Sequence, residues 1–427
     1  MLKRNNQAFC WKGYKIAQRV LEKPNEEIRM TGNTLTPIQE NVKAERLTSL
    51  LKWAGGKEQE LKYILPLLPS FNDYYEPFVG GGAVFFAIQS QRKFINDKSP
   101  ELFHLYKMVA EQNRTFFDAL ETLLAGWLGV SELVVRNAAE LIGIYKAYSL
   151  DERDEDARAA LEHNLIGFVQ QHSEILQSMF SMLYNKDSEH FLYEIKRNLF
   201  SKTKRMRKLE RKKGMLPDGD IVANFESALK SAYYMHLRHL YNKTSEYEIS
   251  PPLAAAIYFF VRENAYAAMF RYNRRGKFNV PYGGISYNRK DLGRKIVYLH
   301  SAELRSHLGN TVVENMDFEA FLQKYNPQPD DFIFLDPPYD SEFSTYARNQ
   351  FDRQDQERLA RYLLHHCKAR FMLVIKNTAA IRDLYCQTDL NIQAFDKKYL
   401  VSFQDRNKRD AEHLIITNYS GTEVRGV

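Results

Sequence analysis

Residues 73–88 read DYYEPFVGGGAVFFAI, and this stretch limits the fold more than any other. An aromatic, apolar run with strand texture meets three consecutive glycines, and an apolar stretch with helical texture follows. KFINDK comes next as a short strand ending on Asp97. Further strand candidates come late in the chain: TVVENM, DFIFLD, RFMLVIKN, and the pair NIQAFDKKYLVSF and EHLIITNY flanking a polar loop. Between them DRQDQERLARYLLHHC carries Leu359, Tyr362, Leu363 and Cys367 at helical spacing. Strands alternating with helices predict an α/β fold, a doubly wound and mostly parallel sheet with an antiparallel pair at its end.

The middle of the chain has another texture. Phe116 to Leu128 and Leu161 to Leu183 place apolar residues three and four apart, the pattern of amphipathic helices. DERDEDAR at 151–158 suits a solvated helix face or a linker. KRNLFSKTKRMRKLERKK, 196–213, holds ten Lys/Arg against one acid, and MLPDGD after it is turn chemistry. The expected organisation is an N-terminal extension (1–45), a first core segment (46–110), a helical insertion (111–249), a further segment (250–310) and a second core segment (311–427). A length of 427 residues with 44% hydrophobic content supports two or three globular domains.

Bulk charge narrows the partners. The formal net charge of +7 and a pI near 9.0 favour a polyanion. Cys10, Cys367 and Cys386 show no metal-ligand spacing, so no metal site and a reducing compartment are expected. No apolar run reaches membrane-spanning length, since AAAIYFFV stops at Arg262 and Glu263, and MLKRNNQAFCWKGYK lacks an apolar signal core. A cytoplasmic protein without membrane partners is the expectation.

The chemistry-bearing residues lie at strand ends. Glycines after a strand let backbone approach a phosphate, a dinucleotide or an adenosine moiety; the absence of Gly-Lys-Ser/Thr argues against a P-loop. Asp97 could bind the two hydroxyls of a ribose, or cap the next helix. In LLKWAGGK, Trp53 can cover a flat ring and Lys57 can hold a carboxylate. Carboxylate, adenine-like ring and ribose together describe S-adenosylmethionine. In FIFLDPPYD, an acid leaves a buried strand and two prolines remove N–H donors, so this turn suits a flat ligand that donates hydrogen bonds.

LLKWAGGK, EPFVGGGAVF, FRYNRRGKFNVPYG and FLDPPY, in that order, resemble the Dam-like family of adenine-specific DNA methyltransferases over roughly residues 48–110 and 250–420. The resemblance implies a methyltransferase fold, duplex DNA as partner and S-adenosylmethionine as donor. By motif position, Trp53, Lys57, Glu76, Phe78, Gly80, Gly82, Asp97 and Asp336 are the expected cofactor residues. Asp336, Pro337, Pro338 and Tyr339 are the expected catalytic ones. The resemblance also makes Tyr266, Arg271, Asn273, Arg275, Lys277, Asn279 and Tyr282 candidates for DNA contact, with Arg406, Lys408 and Arg409 from the loop QDRNKRDAEH. Ser250 should cap a helix that runs through IYFFVRENAYAAMFRYN to the turn NRRGKF. Ala267 and Ala268 stand where the family's namesake has Asn-Gly, so its target site does not carry over. A cognate restriction endonuclease fits such an enzyme, and a monomer is the default. Cytosine N4 or adenine in RNA offers the same exocyclic amine, and a catalytically idle DNA-binding module would keep the same fold.

Overall fold

The computed structural model describes residues 47–53, 55–151, 154–180, 186–269, 271–338, 351–386, 389–398 and 410–420. The expected extension 1–45, Tyr339, Arg406, Lys408 and Arg409 lie outside the described residues. Two compact units emerge. Among the described residues, one holds Gln112–Met269 and Phe278–His300; the other holds residues 47–111, the 271–277 turn and the chain from Ser301 onward.

The second unit is built on a seven-stranded sheet in the order β3-β2-β1-β4-β5-β7-β6. Its strands are β1 Asp73–Glu76, β2 Arg92–Asn96, β3 Thr311–Glu314, β4 Phe332–Leu335, β5 Arg370–Lys376, β6 Asn391–Lys398 and β7 Asp410–Thr417. The first five pair in parallel, while β7 runs antiparallel to both β5 and β6. β1 and β4 are buried at every position and β5 throughout its interior, as expected for strands covered on both faces. The core includes Tyr75, Phe94, Ile333, Leu335, Phe371, Leu373 and Ile375 from the sheet, with Leu359 and Leu363 from the Arg353–His365 helix. From β1 the chain builds outward through β2 and β3 on one side, then returns to build β4 and β5 on the other. The strand order therefore reverses between β1 and β4, which places a crevice at their C-terminal ends.

One element departs from expectation. No α-helix follows the Gly-rich turn; only a single 3-10 turn, Phe85–Ala87, separates it from β2. Phe85 and Phe86 are both buried. They pack on each other and on Tyr106 and His307, so the segment works as an aromatic plug beneath the turn.

The first unit is helical: Arg114–Arg136, Ala138–Leu150, Asp154–Gln171, Ser173–Ser178, Ser188–Lys213, Asp218–Asn242, Pro251–Asn264 and Leu292–Leu299. Trp127, Tyr233 and Phe260 meet at its centre with ring centroids 5.3–5.9 Å apart. Here the expected long helix is corrected. It ends at Asn264, because Ala265 turns extended and bridges Tyr282. Ser250 takes the N-cap position but makes no side-chain cap bond.

Candidate active site

Three strand ends of the sheet unit carry the site. Glu76 is the last residue of β1, Asp97 follows β2, and Asp336 follows β4. Asn96 secures this edge: its amide donates to the Pro77 and Met316 carbonyls at 3.0 and 3.1 Å, and its Oδ1 accepts the Met316 N–H at 2.9 Å.

The glycines do what no other residue would do here. Gly80 and Gly82 have φ of +48° and +77°, the left-handed region. A Cβ on Gly80 would sit 2.7 Å from Trp53 Cδ1, and one on Gly82 would sit 2.5 Å from the Tyr106 hydroxyl. The indole of Trp53 therefore lies directly against the glycine backbone. Tyr106 also donates its O–H to the Gly80 carbonyl at 3.2 Å. Asp97 ties the turn from the other side, with Oδ2 accepting the Gly80 N–H at 3.0 Å and Oδ1 the Ser99 N–H at 2.8 Å. The cap of the following helix Pro100–Ala110 is Ser99, not Asp97. Burial pushes the Asp97 carboxyl up to about 6, against the lowering effect of those two N–H donors. Two bonds leave acceptor positions on a group that offers about four.

Lys57 forms an ion pair with Asp336 and donates to the Gly55 carbonyl at 3.0 Å. The lysine is 2% exposed and the aspartate 19%, so Asp336 meets the solvent side of the crevice while Lys57 lies beneath. Lys57 thus holds a carboxylate, and it is that of Asp336. Glu76 accepts the Tyr74 hydroxyl at 2.6 Å. Its burial, with the nearby Asp336 carboxylate adding to it, holds its carboxyl well above the usual range, while the Tyr74 bond and Lys57 oppose. Phe78 rests 5.4 Å from Phe318 and 5.5 Å edge-on from Phe351, an aromatic wall at the same edge. Pro337 is buried and Pro338 exposed.

Two contributors went unnoticed in the sequence. Gln356, 2% exposed, donates its amide to the Pro338 carbonyl at 3.1 Å, so the Arg353–His365 helix braces the Asp336–Pro338 segment. Arg358, two residues on, gathers Asp317, Glu319 and Asp355 at 2.7–2.8 Å and so fixes the Asp317–Phe318 pair after β3. The helical pattern 352–367 was visible; which of its polar residues turn inward was not.

The family model for D12 class N6 adenine-specific DNA methyltransferases matches residues 53–214 and 184–401. The chain belongs to this family. Its parallel-dominated sheet is consistent with a methyltransferase fold. Among similar proteins, the type II methyltransferase M.CviBI of Paramecium bursaria Chlorella virus NC1A is 24% identical over 87% of this chain and 99% of its own length. M1.LlaDCHI of Lactococcus lactis subsp. cremoris is 24% identical over 87% of this chain and 96% of its own. The retron Ec67 DNA adenine methylase of Escherichia coli is 28% identical over a shorter span, 38% of this chain and 54% of its own.

The family's members act on DNA, which gives the candidate DNA residues their meaning. Tyr266 is 49% exposed, and Arg271, Asn273, Arg275 and Lys277 are exposed. The last three belong to a tight turn in which the Asn273 Oδ1 accepts the Arg275 and Lys277 N–H groups at 2.9 and 3.0 Å. Asn279 is half-buried. Tyr282 must be corrected: it is buried, its O–H donates to Asn288 at 3.0 Å and its ring packs on Trp127, so it serves the helical core and presents nothing to a duplex.

Proposed function

We propose that the chain is a site-specific DNA adenine N6-methyltransferase that uses S-adenosylmethionine and acts on an adenine flipped out of duplex DNA. The observation that supports this is that Asp336, the Gly80–Gly82 turn and Asp97 follow the C-terminal ends of β4, β1 and β2, successive strands around the order reversal of one sheet. An acceptor for an amine and a cradle for an adenosine moiety then share one edge.

The residues fit the donor. Gly80 and Gly82 allow close backbone approach, Trp53 and the Phe78–Phe318 wall offer flat apolar faces, and Asp97 keeps acceptor positions for ribose hydroxyls. When bound, the donor supplies an electrophilic methyl group on a sulfonium. The protein's own part is to make adenine's exocyclic nitrogen nucleophilic. Its lone pair is delocalised into the ring; a carboxylate at Asp336 and the Pro337 carbonyl, accepting its two N–H groups, draw it toward a tetrahedral geometry with a localised pair. Preorganised acceptors at a reacting centre contribute about 10²–10³-fold in rate. Tyr339 would stack on the base, and extrusion of the base costs a few kcal/mol that phosphate contacts offset. Tyr266, Arg271, Asn273, Arg275 and Lys277, with Arg406, Lys408 and Arg409, are the proposed DNA contacts. The helical insertion 111–249 and the segment 250–310 are the proposed target-reading parts. The type II names of the relatives support a cognate restriction endonuclease as partner; a cytoplasmic monomer completes the reading.

Asp336→Asn tests it. The amide keeps the shape but replaces one acceptor oxygen with a donor. Cofactor binding measured calorimetrically should persist while turnover falls about 10²–10³-fold. Turnover within a few-fold of the parent would remove Asp336 from the chemistry.

A further inference from the structure

We propose that the Ser188–Lys213 helix forms a second DNA-binding surface, a basic stripe that follows the phosphates of the duplex on which the enzyme acts. The inference rests on the function proposed above and deepens it, because it names the helix within the 111–249 insertion that meets the duplex and the chemistry of that contact.

The helix is amphipathic in an unusual sense. Ile195, Leu199, Thr203 and Met206 are buried and form its inner face. At 3.6 residues per turn, Arg197, Lys204, Arg205, Lys208, Arg211 and Lys212 fall within an arc of about 120° on the opposite side. All six are exposed. Lys204, Lys208 and Lys212 recur at four-residue spacing, so their charges stand one above another and repel.

What would normally relieve that repulsion is directed elsewhere. The single acid between 196 and 213 is Glu210, and it turns inward. Its Oε2 accepts the hydroxyls of Tyr145, at 2.7 Å, and Ser149, and its Oε1 accepts the Leu216 N–H at 2.9 Å. Glu194, two residues before the run, pairs with Arg197 at 2.8 Å. Lys204, Arg205, Lys208 and Lys212 have no carboxylate partner among the described residues; Lys204 rests over the Phe200 ring at 5.2 Å. A solvated helix face usually mixes signs, whereas this one keeps a single sign and holds its one acid inside.

The geometry selects the partner class. Phe191, Ile195, Leu199 and Met206 are packed inside the unit, while Tyr193 and Leu209 are exposed singly near opposite ends of the helix, so its outer face offers no apolar stripe to a lipid surface. A straight row of cations spanning about 22 Å from Arg197 to Lys212 suits a rigid, regularly charged rod. Duplex DNA is such a rod, with one negative charge per roughly 1.7 Å of axis.

The test is the salt dependence of binding to a duplex longer than the recognition site. The triple variant Lys204→Gln, Lys208→Gln, Lys212→Gln keeps good helix formers and removes three charges. The plot of log K against log salt should become shallower by about 0.9 for each lost phosphate contact, roughly 2–3 in total. The matching Lys→Arg triple variant should keep the parent slope, which separates charge from folding. A parent slope in the Gln variant, with methylation intact, would reduce the stripe to a solvated face. Weakened binding of RNA but not of duplex DNA would also overturn the proposal. If the parent neither bound nor methylated duplex DNA, the proposed function would fall first and this inference with it.

Discussion

Two carboxylates, the buried Glu76 and the half-buried Asp97, stand at adjacent strand ends, and desolvation raises both. Each is placed where a water-filled crevice would have been less demanding, so the fold keeps them there against a desolvation penalty. For Asp97 the consequence is directional. Its folded value of about 6 lies above the ordinary value for an aspartate, so protonation stabilises the fold below that ordinary value, and this contribution is lost as pH rises through about 6. In the proposed role of Asp97, ribose hydroxyls donate more strongly to the ionised form than to the neutral one. Affinity for S-adenosylmethionine should therefore weaken as pH falls through about 6, and titration calorimetry across that range would show it. In Asp97→Asn the affinity should be lower and flat with pH. An unchanged pH profile in that variant would assign the titration to another group.

At the scale of elements, the informative places are where the chain leaves a regular structure. After the Pro251–Asn264 helix, Ala267 and Ala268 both adopt φ of +52°. Arg262 stabilises this exit by donating to the Ala268 and Met269 carbonyls at 3.4 and 2.9 Å. Left-handed backbone costs an L-residue about 1–2 kcal/mol, and glycine returns part of that through its freer unfolded chain, about 0.4–1 kcal/mol. Ala268→Gly should accordingly stabilise the protein by about 0.5–1 kcal/mol in thermal unfolding. A loss of stability would mean that the Ala268 methyl packs productively. This turn also marks the limit of what sequence could reveal. Short apolar runs ending on an acid, such as FIND and FIFLD, announced strands and site residues together, because a buried strand that stops on a charge must surface there. The apolar stretch after the glycines looked helical, yet Phe85 and Phe86 were wanted as ring packing beneath the turn and the chain had only a few residues in which to reach β2. YAAMF continued a helical pattern, but the bridge of Ala265 to Tyr282 overrode it. Gln356 carried no signal, since its role depends on a carbonyl eighteen residues away.

For the whole molecule, the chain interrupts its sheet unit after Glu111 and completes it from Ser301 onward, with the helical unit encoded between. Both halves of the candidate active site, Trp53 to Asp97 and Asp336 to Pro338, come from the sheet unit. The interruption therefore leaves the chemistry on one framework and gives the intervening residues to other tasks, of which reading and holding DNA is the one proposed. A net charge of +7 accords with that division. The central claim is the reaction itself, and it is tested most directly by identifying the methylated nucleoside. The protein would be incubated with methyl-labelled S-adenosylmethionine and unmethylated duplex DNA, and the DNA digested to nucleosides, with Asp336→Ala in parallel. The account predicts label in N6-methyladenosine of the deoxy series and its loss in the variant. Label in N4-methylcytosine would contradict the assigned base, and an absence of label despite measurable cofactor binding would contradict the assigned reaction.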